Sequence, residues 1–180
     1  GLDPAIGSVA SLFVSRWDVA VKDNVPTDLK NRLGIAVAQR TYREYQLVLA
    51  SQRWAALAAA GARPQRLLFA STSTKDPQAS DTLYVEALAA PDTVNTIPQK
   101  TLVAFADHGR VKGMLAADGG DADQVLLTFR DAGVDDTALA AQLQREGAET
   151  FDKSWKDLLQ QLAAKRVALA SGAHAAVGAP

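Results

Sequence analysis

Three short apolar runs, each passing directly into polar residues, constrain this chain more than any other feature. Residues 7–16 read Gly-Ser-Val-Ala-Ser-Leu-Phe-Val-Ser-Arg, residues 66–72 read Arg-Leu-Leu-Phe-Ala-Ser-Thr, and residues 93–97 read Thr-Val-Asn-Thr-Ile. Apolar side chains on both faces of a strand are what a parallel sheet requires. The first two runs therefore predict strands buried on both faces, and the third a weaker strand. Helical segments are predicted between and after them. Asp28 to about Ala60 carries Leu29, Leu33, Val37, Tyr45, Val48 and Leu49 at helical spacing, with Thr27 as N-cap and Gly61 as stop. Asp81 to Ala89 predicts a short helix, and Pro98 to His108 another, closed by Gly109. Strand, helix, strand, helix, strand, helix predicts an α/β fold of parallel strands joined by right-handed helical crossovers.

The remainder of the chain predicts more helix. Asp121 to Ala132 is amphipathic, with Asp121 at the N-cap and Gly133 at C′, and Asp136 starts a further helix. Phe151, Trp155, Leu158, Leu159 and Leu162 then trace an apolar stripe on a last helix. Such stripes, and the three tryptophans Trp17, Trp54 and Trp155, are most simply core. Residues 171–180 are small and Gly/Ala-rich and predict a flexible tail after a domain of residues 1–170.

Composition narrows the function. Apolar residues make up 48% and charged residues 22% of the 180, which argues against disorder. Lys+Arg is 19 and Asp+Glu is 20, so no excess charge drives binding to nucleic acid or anionic lipid. Without cysteine there is no disulfide, thiolate metal site or Cys nucleophile, and only two histidines argue against a His-rich metal site. No run approaches the roughly 18 apolar residues of a membrane span. The chain opens on Gly1 with no signal-peptide pattern, so a cytoplasmic protein is expected, and one that is part of a longer or processed chain. Walker A, GxGxxG, GxSxG and HExxH patterns are all missing.

In α/β proteins ligands sit at the C-terminal ends of the strands. At the first strand end, period-2 alternation sets Ser11, Phe13 and Ser15 on one face, with Arg16 at the lip. A hydroxyl and a guanidinium fork suit a phosphate or carboxylate; alternatively Arg16 pairs with Asp18 or Asp23 on the surface. At the second, Ser71, Thr72, Ser73 and Thr74 precede Lys75. Lys75 reads as an anion ligand, as a Schiff-base nucleophile if burial depressed its pKa, or as an exposed lysine in a turn closed by Pro77. Asn95 either faces a ligand or hydrogen-bonds a neighbouring strand end. His108 is expected to meet the terminal carbonyls of its helix rather than act as a base. His174 falls in the tail.

Four stretches carry a resemblance to a known family. Ser8 to Asp18 resembles the SVASFFVSR strand of the long-form bacterial transaldolases, and Asn31 to Tyr42 their following helix. Gln65 to Pro77 is similar to their QRPLWASTxxKNP segment, and Asp81 to Pro98 to DTLYVEELIAPDTVNTMP. The resemblance runs from about Gly7 to Leu162 and implies the C-terminal portion of a (β/α)8 TIM barrel, the three strands corresponding to the sixth, seventh and eighth. It implies transfer of a dihydroxyacetone unit from a ketose phosphate to an aldose phosphate in the pentose phosphate pathway. The sugar phosphates implied are sedoheptulose 7-phosphate, fructose 6-phosphate, glyceraldehyde 3-phosphate and erythrose 4-phosphate, with no metal or organic cofactor.

In that family a lysine on the fourth strand, in an IK(I/V)P-type sequence, forms the Schiff base, and carboxylates on the first and third strands handle protons. None of those segments is present in this sequence. By the resemblance Lys75 is not the Schiff-base lysine. Ser11 and Arg16 match the phosphate-holding Ser and Arg, and Phe13 an aromatic lining the pocket. Lys75 lies near where other branches place a second phosphate-binding Arg, with Ser71 beside it. The implied protein is a transaldolase lacking its catalytic half here. The alternatives are a catalytically silent phosphosugar-binding fragment, a part of a fusion with glucose-6-phosphate isomerase, or an aldolase in its own right using Lys75.

Overall fold

A computed structural model of the chain describes residues 3–170. The expected tail, residues 171–180 with His174, lies outside the described residues. The chain divides into two compact units after Asp136.

The first unit is built on three parallel strands in the order β1-β2-β3. β1 is Ser8–Phe13, β2 is Gln65–Ala70 and β3 is Val94–Asn95. Ser8 to Phe13 pair with Gln65 to Ala70 in register, and Leu68 and Phe69 pair with Val94 and Asn95. Both connections between neighbouring strands pass through helix, as the alternating pattern predicts.

Two expectations fail at β1. The strand ends at Phe13, and helix α1, Val14–Val21, starts at the next residue. Ser15 and Arg16 therefore sit in the first turn of a helix, and strand alternation does not apply to Ser15. Nor is β1 buried on both faces: Ser8 to Ser11 are exposed and Leu12 and Phe13 half-buried. β1 is the edge of the described sheet, so one flank has no neighbouring strand among the described residues.

The single long helix expected over 28–60 is a short 3-10 turn, Thr27–Leu29, followed by α2, Leu33–Leu49, and α3, Gln52–Ala59. Thr27 lies inside the turn and caps nothing with its side chain. Ser51 makes the break: its Oγ accepts from the Trp54 amide at 3.1 Å and donates to the Val48 carbonyl at 2.7 Å. It thereby ends one helix and caps the next. Gly61 follows in the left-handed region (φ +88), as a helix stop should.

α4 is Leu83–Ala87, α5 is Gln99–His108 and α6 is Ala122–Asp131. Asp121 precedes α6 but caps it with no side-chain bond; its carboxylate accepts from Gln39 Nε2 instead. Gly133 closes α6 at φ +89, with the Val134 amide reaching back to the Phe129 carbonyl. Asp136 is 3% exposed and receives both Arg130 (2.8 Å) and Arg40 (2.8 Å), which hold its carboxyl below the usual range.

The core lies between the sheet and its helices. Phe69 and Leu67 of β2 pack with Val14 of α1, Ala38 and Tyr42 of α2, and Tyr84 of α4.

The second unit is helical. α7 is one element of 35 residues, Asp136–Ala170, where two helices were expected. Gly147 does not break it, since one glycine costs only about 1 kcal/mol relative to alanine. The stripe expected to be core is exposed: Phe151 is 62% and Trp155 58% accessible. Of the three tryptophans, Trp17 is buried and Trp54 half-buried. No helix among the described residues is long and apolar enough to cross a membrane.

Candidate functional site

The C-terminal ends of β1 and β2 lie side by side because Phe13 and Ala70 are register partners. The chain leaves β1 into α1 and leaves β2 through Ser71 to Asp76. Two hydrogen bonds join these exits. The Ser15 amide donates to the Ser71 carbonyl at 3.2 Å, and the Ser15 and Ser71 hydroxyls lie 2.7 Å apart. Ser71 reaches this position with φ +55, the left-handed region that a residue with a Cβ seldom adopts.

Arg16 occupies the first turn of α1, and its guanidinium lies over the Phe13 ring, 4.3 Å from the centroid. Stacking of this kind holds the fork in one place while its N–H groups stay available at the edge. The alternative of a surface pair with Asp18 or Asp23 does not hold: Asp18 is buried at 5% exposure, and Asp23 lies 4.0 Å from Lys22. No side chain caps the first turn of α1, and one of its amides, that of Ser15, is already taken by the Ser71 carbonyl. Ser11 is exposed, two residues back along β1 on the Phe13 face.

Lys75 is exposed, and its amine donates to Ser73 Oγ at 2.6 Å. The loop that carries it is pinned by Asp76, which accepts from Asn31 Nδ2 at 2.7 Å and from the Gln78 amide at 2.9 Å. These bonds hold the Asp76 carboxyl below its ordinary value. Thr72 is fully buried and donates to Asn95 Oδ1 at 2.9 Å. Asn95 thus bonds the neighbouring strand end, the second of its two expected roles. His108 does not meet carbonyls. Its ring lies 2.9 Å from Asp81 and 3.1 Å from Asp107, and these carboxylates raise its pKa.

Sequence reasoning missed the group behind this site. Asp18 Oδ1 accepts from the Leu33 amide at 2.9 Å. Its Oδ2 accepts from the Gly34 amide at 3.1 Å and the Tyr84 hydroxyl at 2.7 Å. Asp18 of α1 therefore caps the N-terminus of α2 from fifteen residues upstream. Burial pushes its carboxyl up to about 6, against the pull of those three bonds. The Tyr84 phenol is raised as well, by its own burial and then by the Asp18 charge. Gly34 is required here: a Cβ would fall 2.5 Å from the Val14 carbonyl oxygen and 2.6 Å from Asp18 Oδ2. A glycine in the first turn of an amphipathic helix was the available signal, since it marks a close approach.

Taken together, this is a parallel α/β protein with hydroxyl and guanidinium groups gathered at adjacent strand ends. Such a set can grip an anion; among the described residues no cluster of three or more His, Asp or Glu could hold a metal. Residues 4–162 match the family model for transaldolase/fructose-6-phosphate aldolase. The chain belongs to that family, whose architecture is the TIM barrel. It is 45% identical over 161 residues to a transaldolase of Saccharopolyspora erythraea, covering 86% of this chain and 44% of that protein. It is 46% identical over 166 residues to a transaldolase of Frankia alni, covering 88% and 45%. It is 43% identical over 162 residues to one from Mycolicibacterium smegmatis, covering 86% and 44%. The chain thus spans less than half the length of these curated relatives.

Proposed function

We propose that this chain supplies the phosphate-gripping side of a transaldolase, the C-terminal strands of its barrel, and that the complete enzyme moves a dihydroxyacetone unit between sugar phosphates of the cytoplasmic pentose phosphate pathway. The observation that carries this reading is the junction of the two strand exits. Ser15 is bonded to Ser71 by both backbone and hydroxyl, and Arg16 stacks on Phe13 beside them. Ser11, Arg16 and Ser71 then hold the phosphate of fructose 6-phosphate, sedoheptulose 7-phosphate, glyceraldehyde 3-phosphate or erythrose 4-phosphate, and Phe13 lines the pocket beneath the Arg16 fork. Arg16 offers two parallel N–H donors to two oxygens, the serines offer neutral donors, and the α1 N-terminus adds its dipole. Lys75 is a peripheral cation rather than a nucleophile. It is exposed and tied to Ser73, whereas a Schiff-base lysine needs burial or a neighbouring cation to lose its proton. The Schiff-base lysine belongs to a preceding strand that this sequence does not contain.

Calorimetric titration with fructose 6-phosphate and with fructose tests the grip. Binding of the phosphate ester alone, lost in Arg16→Ala, supports it; equal affinity for the two sugars refutes it. Borohydride trapping with fructose 6-phosphate tests the chemistry. No adduct on this chain is expected, and an adduct on Lys75 would make the chain an aldolase in its own right.

A further inference from the structure

The grip is fastened at the front by Ser15 and Ser71, and the same two loops are fastened again from behind. α1 follows the β1 exit and carries Asp18; α4 follows the β2 loop and carries Tyr84. The 2.7 Å bond from the Tyr84 hydroxyl to Asp18 joins these two helices. The amides of Leu33 and Gly34 hold the same carboxylate from α2.

We propose that Asp18 is a positioning residue for the anion site: its buried, ionised carboxylate locks α1 against α2 and α4, and so fixes where Ser15 and Arg16 stand relative to Ser71. The inference rests on the phosphate-gripping reading above. α1 has only eight residues, so a displacement of Asp18 displaces the turn that carries Arg16, two positions earlier. The approach is close enough that residue 34 must be glycine. All three neighbours of the carboxylate are donors. Protonation therefore leaves an O–H among N–H and O–H groups, and the cluster must rearrange for Tyr84 to accept instead.

Burial raises this carboxyl to about 6, so the rearrangement falls in an accessible pH range. The titratable group set against Asp18 is Tyr84, which α4 contributes; α2 contributes backbone amides only. Asp76 acts on the Tyr84 phenol from further away. His108, whose pKa is raised by Asp81 and Asp107, is a second group that gains charge as pH falls, and it is removed in the test.

The probe is inorganic sulfate, whose charge does not change with pH in this range. Its affinity for the full chain is measured in a His108→Ala background at about pH 5 and about pH 7.5, bracketing the Asp18 titration. Affinity is expected to fall about tenfold at the lower pH, the worth of one charge-assisted hydrogen bond. Asp18→Asn is expected to bind weakly at both values, with a flat profile. Tyr84→Phe is expected to weaken binding and move the midpoint. If Asp18→Asn does not fold by circular dichroism, Tyr84→Phe carries the test, since it leaves the carboxylate both amides. If Arg16→Ala loses sulfate while Asp18→Asn and Tyr84→Phe keep the original affinity and profile, the positioning role is overturned and the grip stands. If Arg16→Ala binds sulfate as the unaltered chain does, the grip reading fails and the inference falls with it.

Discussion

On one face of the three-stranded sheet, Phe69 is fully buried and Leu67 is 5% exposed, packed with Val14, Tyr42 and Tyr84. On the other face, Leu68 is half-buried, and Val9 and Ser11 are exposed. Leu67, Leu68 and Phe69 are consecutive residues of similar hydropathy, so composition does not explain the contrast. The helices of this chain cover one face. In a (β/α)8 barrel the opposite face is filled by layers of side chains from all eight strands, and the described sheet contributes three. The open face is also the face of Ser11 and Phe13. Cover and the proposed ligand site are therefore two demands on the same surface.

The largest consequence concerns the whole molecule. A face left half-buried at Leu68 and Phe13 and an unpaired edge strand predict that the chain by itself is marginally stable or self-associates. Sedimentation should find oligomers or aggregates at micromolar concentration. A monomeric, cooperative melt above about 60 °C would break the contrast between the faces. Next, Phe69→Ala should cost about 3–5 kcal/mol in urea unfolding and Leu68→Ala less than half as much. Equal losses would mean that both faces are covered in solution.

Beneath the covered face, Gly34→Ala should cost about 1–3 kcal/mol, because the added carbon meets a backbone carbonyl that has no room to move. The Asp18 titration comes next in size. Its carboxyl titrates higher in the folded chain, at about 6, than its ordinary 3.8. The folded state therefore binds the proton more tightly than the unfolded state does. This contribution to stability is full below the unfolded value and is lost as pH rises through about 6. Lowering pH from 7 to 5 should raise unfolding free energy by about 1 kcal/mol, and Asp18→Asn should remove that slope. A slope of opposite sign would show that the three hydrogen bonds to the carboxylate outweigh its burial. Stability and anion affinity then respond to pH in opposite directions, as a strained functional group predicts. Smallest is Ser11→Ala on the open face: a change within about 0.5 kcal/mol in stability, with weaker binding of fructose 6-phosphate.

Much of the first unit was legible in the sequence. Apolar runs bounded by polar residues located all three strands, and glycines in the left-handed region located two helix ends, at Gly61 and Gly133. Less legible were boundaries that depend on one hydrogen bond. Ser51 splits a helix whose apolar spacing runs on through it. The first apolar run continues three residues past the end of β1, because Val14 and Ser15 suit a strand as well as a helix, and the helix is settled by Val14 packing in the core. Of the site, Ser11, Phe13, Arg16 and Ser71 were named from strand-end position and resemblance. Asp18 reads only as a surface partner for Arg16, since a carboxylate two residues from an arginine gives no hint that it faces inward.

The sequence by itself determined the parallel α/β architecture, the order of its elements and the family, because hydrophobic period and long motifs are local properties of the chain. Only the tertiary structure decided which face of the sheet is covered, that α7 carries its apolar stripe exposed, and that Asp18 closes the N-terminus of α2 behind the proposed anion site. Each of these depends on groups distant in sequence meeting in space, where a missing neighbour or a buried charge changes the free energy and the residue type does not.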